Sequence, residues 1–281
     1  MGIIDEAYIG VPYEKEIADI LGVEPPDAAR IAQHALLRRY PKGSLIFSWG
    51  DEPDGIYIIL KGFVKAYHPN EDGTDKIFAF MTTGDIFGEM AMFGTHLRSA
   101  SVYSMDKTET LLLPKRILES LMKTVPALSL KIAEIMSERL RRINEQVILT
   151  EENSRTKILS RLLSIAQTCG LSAPALNSVG SRTGSSMGSS TGSRTGGSAA
   201  GSTGNSTGSP TGSTAGSAGS YVTIPFRLTH SDLASYSGLA RETVTKRLNE
   251  LVDERIIAVN RHRRLRLDVE SLKRELGGFN C

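Results

Sequence analysis

Cysteine is nearly missing from this sequence: Cys169 and Cys281 are the 2 in 281 residues, too few for a disulfide scaffold or a thiolate metal cluster. Long apolar runs are missing as well, since nothing approaches the ~18 consecutive apolar residues of a membrane span. The opening MGIIDEAYIG lacks the basic start and apolar centre of a secretory leader. A soluble, cytoplasmic protein with no membrane partner is therefore expected. Aromatic residues make up 6% of the chain, and Trp49 is its one tryptophan; it is expected to pack near the start of the first domain rather than to touch a ligand. His68 and His96 have no partners at metal-ligand spacing, so no metal is expected. No nucleophile with an adjacent base and no glycine-rich triphosphate loop is found, which argues against an enzyme.

What is present is unevenly distributed. The length fits about two domains. The formal charge of +2 conceals an acidic front and a basic remainder. Residues 1–112 carry 10 Lys+Arg against 17 Asp+Glu, residues 113–220 carry 12 against 6, and residues 221–281 carry 11 against 8. A basic C-terminal part fits a nucleic-acid partner, although a solvated face has the same composition.

From Tyr40 to Leu113 short β-rich runs, such as Ile56–Leu60, Phe63–Tyr67 and Ile77–Phe80, alternate with glycines. This spacing predicts a small antiparallel barrel or roll. Asn70-Glu71-Asp72-Gly73 is expected to be a hairpin turn between the second and third of these runs. Within the same region, Gly84–Ser101 reads GDIFGEMAMFGTHLRSAS. Gly88 permits close backbone approach and leads into a segment whose free N–H groups suit an anion. Glu89 can accept from a sugar hydroxyl, Arg98 offers a planar fork to phosphate oxygens, and Ser99 adds a hydroxyl.

The order Gly-Glu, short turn, Arg-Ser-Ala resembles the phosphate-binding cassette of cyclic-nucleotide-binding domains in the catabolite activator protein and fumarate-nitrate regulator (CRP/FNR) family. The resemblance covers about residues 14–170 and 221–281. It implies an α+β fold: an antiparallel β-roll over 14–113, a dimerisation helix over 114–152, and a winged helix-turn-helix over 153–281. It further implies that the effector is a cyclic nucleotide, cAMP or alternatively cGMP, with Glu89 on the ribose and Arg98 and Ser99 on the cyclic phosphate; the alternatives are a family regulator that responds to another small effector, and a cyclic-nucleotide-binding module that acts on a protein partner. The iron-sulfur branch of the family is not implied, because its N-terminal cysteine cluster is missing.

After Pro114 a helical period appears. Ile132, Met136, Leu140, Ile143, Val147 and Thr150 lie on one narrow seam, flanked by Glu134, Glu138, Arg141, Arg142 and Glu145. A thin seam of this kind usually finds a second copy of itself, so a homodimer is expected; packing against the chain's own domain is the alternative. The resemblance places Ile143 and Asn144 where cAMP-binding relatives carry hydroxyl residues facing the adenine. Asn144 suits adenine or guanine, or simply sets helix register.

Farther on, Thr229 precedes His230, Ser231 and Asp232 in a capping-box pattern, so a helix is expected to start there and run to about Tyr236. Ser237-Gly238 then turns the chain into a second helix from about Arg241 to Glu254, with Val244, Leu248 and Leu251 inward. Two short helices joined at glycine fit a helix-turn-helix on double-stranded DNA. The segment Ala240–Arg247 is similar to the CRP-family recognition helix, with Arg241, Glu242, Thr243 and Lys246 as DNA-binding candidates. Arg241 would take guanine O6 and N7, Glu242 cytosine N4, and Lys246 another guanine or a thymine O4, as a TGTGA-type palindromic site requires. Lys246 stands where relatives commonly have Arg, and Lys makes no bidentate fork. The basic turn Asn260–Arg264 reads as a wing, with Arg261, Arg263 and Arg264 on phosphates.

Residues 178–220 stand apart: 37 of these 43 are Ser, Thr, Gly or Ala, with Gly at every fourth position over 180–196 and 204–216. A four-residue period with almost nothing apolar predicts a flexible coil spanning about 35 Å root-mean-square. It interrupts the DNA-binding domain at the loop by which related activators touch RNA polymerase, and is expected to replace or obstruct that contact.

Overall fold

The computed structural model describes residues 12–71, 73–93, 96–148, 151–170 and 221–277. The expected coil over 178–220, Asp72 of the hairpin turn, and Thr150 of the seam lie outside the described residues.

Two short helices open the fold, α1 (Glu14–Leu21) and α2 (Pro25–Ala32). Gly22 closes α1 in the left-handed region at φ 64°, and Pro25 starts α2 where its missing N–H costs nothing. Strands β1 (Leu36–Tyr40), β2 (Leu45–Phe47), β3 (Gly55–Lys61), β4 (Phe63–Pro69), β5 (Asp75–Thr82), β6 (Ile86–Phe87), β7 (Ser101–Ser104) and β8 (Thr108–Pro114) follow. They form two antiparallel four-stranded sheets, β1-β8-β3-β6 and β2-β7-β4-β5, which is the expected roll. The β4–β5 hairpin turns where the sequence predicted, with Asn70 N–H donating to Thr74 O at 2.7 Å and Gly73 at φ 78°. Between the sheets lie Tyr40, Ile46, Tyr57, Ile59, Val64, Met81, Phe87, Val102 and Leu112. The outer face of the first sheet packs on α1 and α2 through Ile17, Leu21, Ile31, Ile56, Ile58, Leu111 and Leu113.

The helical segment after Pro114 differs from expectation. It is two helices, α3 (Lys115–Thr124) and α4 (Pro126–Ile148), and the long one begins at Pro126. Proline supplies no N–H to the preceding turn and pushes the residue before it out of helical geometry; Val125 sits at φ −128°, ψ 80°. Along α4, Ile132 is buried, whereas Met136, Leu140, Ile143 and Val147 are exposed.

The C-terminal part consists of α5 (Ser154–Gly170), β9 (Tyr221–Thr223), α6 (His230–Ser237), α7 (Arg241–Asp253), β10 (Ile257–Val259), β11 (Leu265–Asp268) and α8 (Val269–Glu275). Its three-stranded sheet runs β10-β11-β9, so β9 adds an edge that the sequence did not announce. The capping box forms: Thr229 Oγ1 accepts from Asp232 N, and Asp232 accepts from Thr229 N. Gly238 ends α6 in the left-handed region, and Val244, Leu248 and Leu251 of α7 turn inward as expected. Among the described residues no helix is long and apolar enough to cross a membrane, and no group of three metal-ligating side chains gathers.

Candidate functional site

Gly88 has φ 83° and opens a single 3-10 turn, Glu89–Ala91. A Cβ on Gly88 would lie 2.4 Å from Arg98 Nη1, so glycine here provides both the conformation and the room for the arginine. Gly88 O then accepts from Arg98 Nη1 at 2.8 Å. Arg98 Nη2 donates to Gly55 O at 2.9 Å and to Asp54 Oδ1. Its guanidinium carbon stands 4.1 Å from the centre of the Phe47 ring, a cation–π contact with little water to weaken it. Tyr57 donates its hydroxyl to the other Asp54 oxygen at 2.6 Å. Burial pushes the Tyr57 phenol well above its ordinary range and that of Tyr40 up to about 12.

Glu89 is fully buried, and its Oε1 accepts from Arg139 Nη1 of α4. Arg139 also donates to Ile86 O. Two buried atoms of the pair predicted to hold the ligand are left with no hydrogen-bond partner, Glu89 Oε2 and Arg98 Nε. Such groups are costly unless something completes them. Ser99 is exposed, and a depression of about 490 Å³ beside it is lined by Trp49, Met90, His96, Leu97 and Arg98. Trp49 is thus on the surface rather than in the core: it is half exposed and meets the His68 ring edge-on at 4.7 Å.

The structure therefore brings Gly88, Glu89 and Arg98 together, with Ser99 at the rim. Ile143 and Asn144 do not join them within the chain. Both are exposed, and Ile143 instead borders a groove of about 1420 Å³ together with Phe78 of β5 and residues of α6. The α4 residue that reaches the cassette is Arg139. It lies one helical turn before Ile143 on the same face, a spacing that could have flagged it. Asp54 carried no comparable signal, because only the fold brings it to Arg98.

At the other end, Arg241, Glu242 and Lys246 are exposed on α7, and Thr243 is half-buried. Arg247 is turned inward instead, donating to Ser154 Oγ of α5 at 3.0 Å and pairing with Glu250. The wing turn is tight: Asn260 N–H donates to Arg264 O at 2.9 Å, its side chain accepts from the His262 and Arg264 amides, and Arg263 takes φ 56°. Arg261 and Arg263 are exposed on it.

These two regions match two family models, the cyclic nucleotide-binding domain over residues 37–125 and the Crp-like helix-turn-helix domain over residues 211–275. The chain belongs to the CRP/FNR family. It is thus a cyclic-nucleotide-binding transcription regulator rather than an enzyme, and its helix-turn-helix makes DNA its partner. It is 28% identical over 152 residues to the CRP-like cAMP-activated global transcriptional regulator of Mycobacterium tuberculosis, covering 53% of this chain and 67% of that protein. To the cyclic AMP receptor protein of Thermus thermophilus it is 27% identical over 145 residues, covering 51% and 67%. The structure of FixK2 from Bradyrhizobium japonicum superposes with a TM-score of 0.60 at 18% identity, over 85% of this chain and 96% of that one, a likeness of fold.

Proposed function

We propose that this regulator is a homodimer that binds cAMP at the cassette and reads a palindromic TGTGA-like site. The observation that carries the reading is the pair of buried, oppositely charged groups, Glu89 and Arg98, each with one polar atom unpartnered. A ribose hydroxyl can donate to Glu89 Oε2, and a cyclic phosphate can take a further N–H of the guanidinium, with Ser99 adding its hydroxyl. The similarity to a cAMP-activated regulator of Mycobacterium tuberculosis and to a cyclic AMP receptor protein of Thermus thermophilus favours cAMP over cGMP. The exposed Met136, Leu140, Ile143 and Val147 support pairing of α4 with a second copy, which would also bring a second set of Ile143 and Asn144 to the complex. Arg241, Glu242 and Lys246 supply base contacts, with Thr243 beside them, and Arg261 and Arg263 supply phosphate contacts. A regulator of this kind works beside DNA in the cytoplasm, and RNA polymerase is the further partner that the segment over 178–220 would obstruct. Calorimetric titration of the full chain with cAMP and with cGMP tests the effector assignment. Saturable binding of cAMP, tighter than cGMP, is expected; tighter cGMP binding refutes the choice of base, and no binding of either refutes the cassette.

A further inference from the structure

Strand β4 is a wall shared by two cores. Its Val64 and Ala66 face the interior of the roll, while Phe63 and Tyr67 face the helix-turn-helix. On the outer side Phe226 packs on Phe63 at 5.2 Å and on Phe80 at 5.7 Å between ring centres, and Tyr236 of α6 meets Phe80 edge-on at 5.2 Å. Amid these rings sits Lys65, paired with two carboxylates. Lys65 Nζ lies 3.2 Å from Asp232 Oδ1 and 3.5 Å from Asp75 Oδ2, above the rings of Tyr67 and Tyr103 at 5.2 and 5.5 Å. The Lys65 and Asp232 side chains are only 13% and 14% exposed, so the pair is largely removed from the screening that makes surface pairs weak.

Asp232 has two duties. Its Oδ2 caps α6 by accepting from Thr229 N at 3.1 Å and Thr229 Oγ1 at 2.6 Å, while Oδ1 takes Lys65. The start of α6 is tied to α7 as well, through His230 Nδ1 and Thr245 Oγ1 at 2.9 Å. Thr245 Oγ1 also lies 2.9 Å from Arg241 O, within the first turn of α7. On the inner side, Val64 of β4 is in register with Met81 of β5, whose sulfur lies 3.7 Å from Arg139 Nη2, the arginine that holds Glu89. A continuous set of contacts thus runs from the cassette, through two paired strands, to the first turn of the reading head.

We propose that Lys65 is a positioning residue for DNA reading. By clasping Asp232 it registers α6 and α7 to the strand behind the nucleotide site, and effector binding changes DNA affinity through this clasp. The inference rests on the nucleotide-dependent DNA binding proposed above. A coupling of this kind is a ratio of affinities, typically about 5- to 150-fold, and that ratio is the readout.

The test measures the dissociation constant of the full chain for a palindromic TGTGA duplex, with and without saturating cAMP. Wild type is compared with Lys65→Met, Lys65→Arg, Asp232→Asn and the Lys65→Met/Asp232→Asn double variant, and thermal unfolding is recorded for each. Asn at 232 keeps an oxygen for the cap and loses the charge. Lys65→Met and Asp232→Asn should each shrink the cAMP-induced ratio by at least about 5-fold. Lys65→Arg should restore the ratio, and the double variant should lose no more than either single one. A Lys65→Met protein that melts lower but keeps the wild-type ratio overturns the clasp, because a purely structural role predicts that outcome. If Lys65→Met fails to fold, an unchanged ratio in Asp232→Asn overturns it equally. A wild-type protein that binds the duplex with no cAMP dependence overturns the proposed function first, and the clasp with it.

Discussion

Replacing Gly88 by alanine probes the cassette at its tightest point. The new Cβ would stand 2.4 Å from Arg98 Nη1 and 3.3 Å from both Arg98 Cζ and Gly55 O, in a residue held at φ 83°. The backbone part costs about 1–2 kcal/mol for an L-residue in the left-handed region. The steric part falls on a guanidinium that cannot simply swing away, since it is fixed by Gly88 O, Gly55 O and Asp54. Losing one charge-assisted bond adds about 1.5–3 kcal/mol, for a total of about 2.5–5 kcal/mol of folding stability. The displaced arginine no longer presents its fork to a phosphate, so cAMP affinity should fall about 10- to 150-fold, the same bond expressed as binding. Gly84→Ala is the matched control: it has φ 92° but meets no heavy atom within 4 Å, so it should lose only the backbone part and bind cAMP normally. Thermal unfolding and calorimetric titration of the two variants decide the matter. Equal cAMP affinities in Gly84→Ala and Gly88→Ala would refute the reasoning.

Three other outcomes follow from the same structure. Leu140→Lys places a charge on the exposed seam of α4 and should raise the dimer dissociation constant by about 100-fold or more, since each copy forgoes about 1.5 kcal/mol or more of burial; light scattering across a dilution series reads this directly. Arg241→Ala should cost about 1–3 kcal/mol and relax preference at one guanine, whereas Arg263→Ala should weaken all sequences alike and reduce the salt slope by about 1, both measurable by DNA titration over a range of salt. Burial raises the carboxyl of Asp85 above its ordinary range, opposed by its hydrogen bond from Thr82 N and by Arg142 and Arg139. The folded state therefore holds that proton to higher pH than the unfolded chain. The group's stabilising contribution is complete below the unfolded value and is lost as pH rises through the folded one. Asp85→Asn keeps an acceptor for Thr82 and should flatten that decline in denaturant unfolding curves.

The features legible in the sequence are those written locally. The β4–β5 turn, the Thr229–Asp232 cap, the glycine that ends α6 and the inward stripe of α7 each depend on a few consecutive residues, and each stands where it was expected. The cassette is local in the same sense, which is why Gly88, Glu89 and Arg98 could be named. Their partners are not local. Asp54 meets Arg98 across 44 positions and Arg139 meets Glu89 across 50, and such pairs appear only once sheet register and the path of α4 are fixed. Arg139 shows how position along a helix can mislead: the family resemblance drew attention to Ile143 and Asn144, while the charged residue one turn earlier reaches Glu89 within the chain. Trp49 was expected to pack near the start of the first domain, yet it follows β2 in a loop beside the cassette and remains half exposed. The break at Val125 was written in Pro126 but masked by the apolar residues on either side.

The central claim is that one chain couples a cyclic nucleotide at Glu89 and Arg98 to DNA at α7. Fluorescence anisotropy of a labelled TGTGA palindrome, titrated with the full chain with and without cAMP, tests it most directly. Saturating cAMP should tighten binding by at least about 5-fold in wild type and leave Arg98→Leu unchanged. Equal affinities with and without cAMP in the wild-type protein, or an undiminished response in Arg98→Leu, would contradict the account.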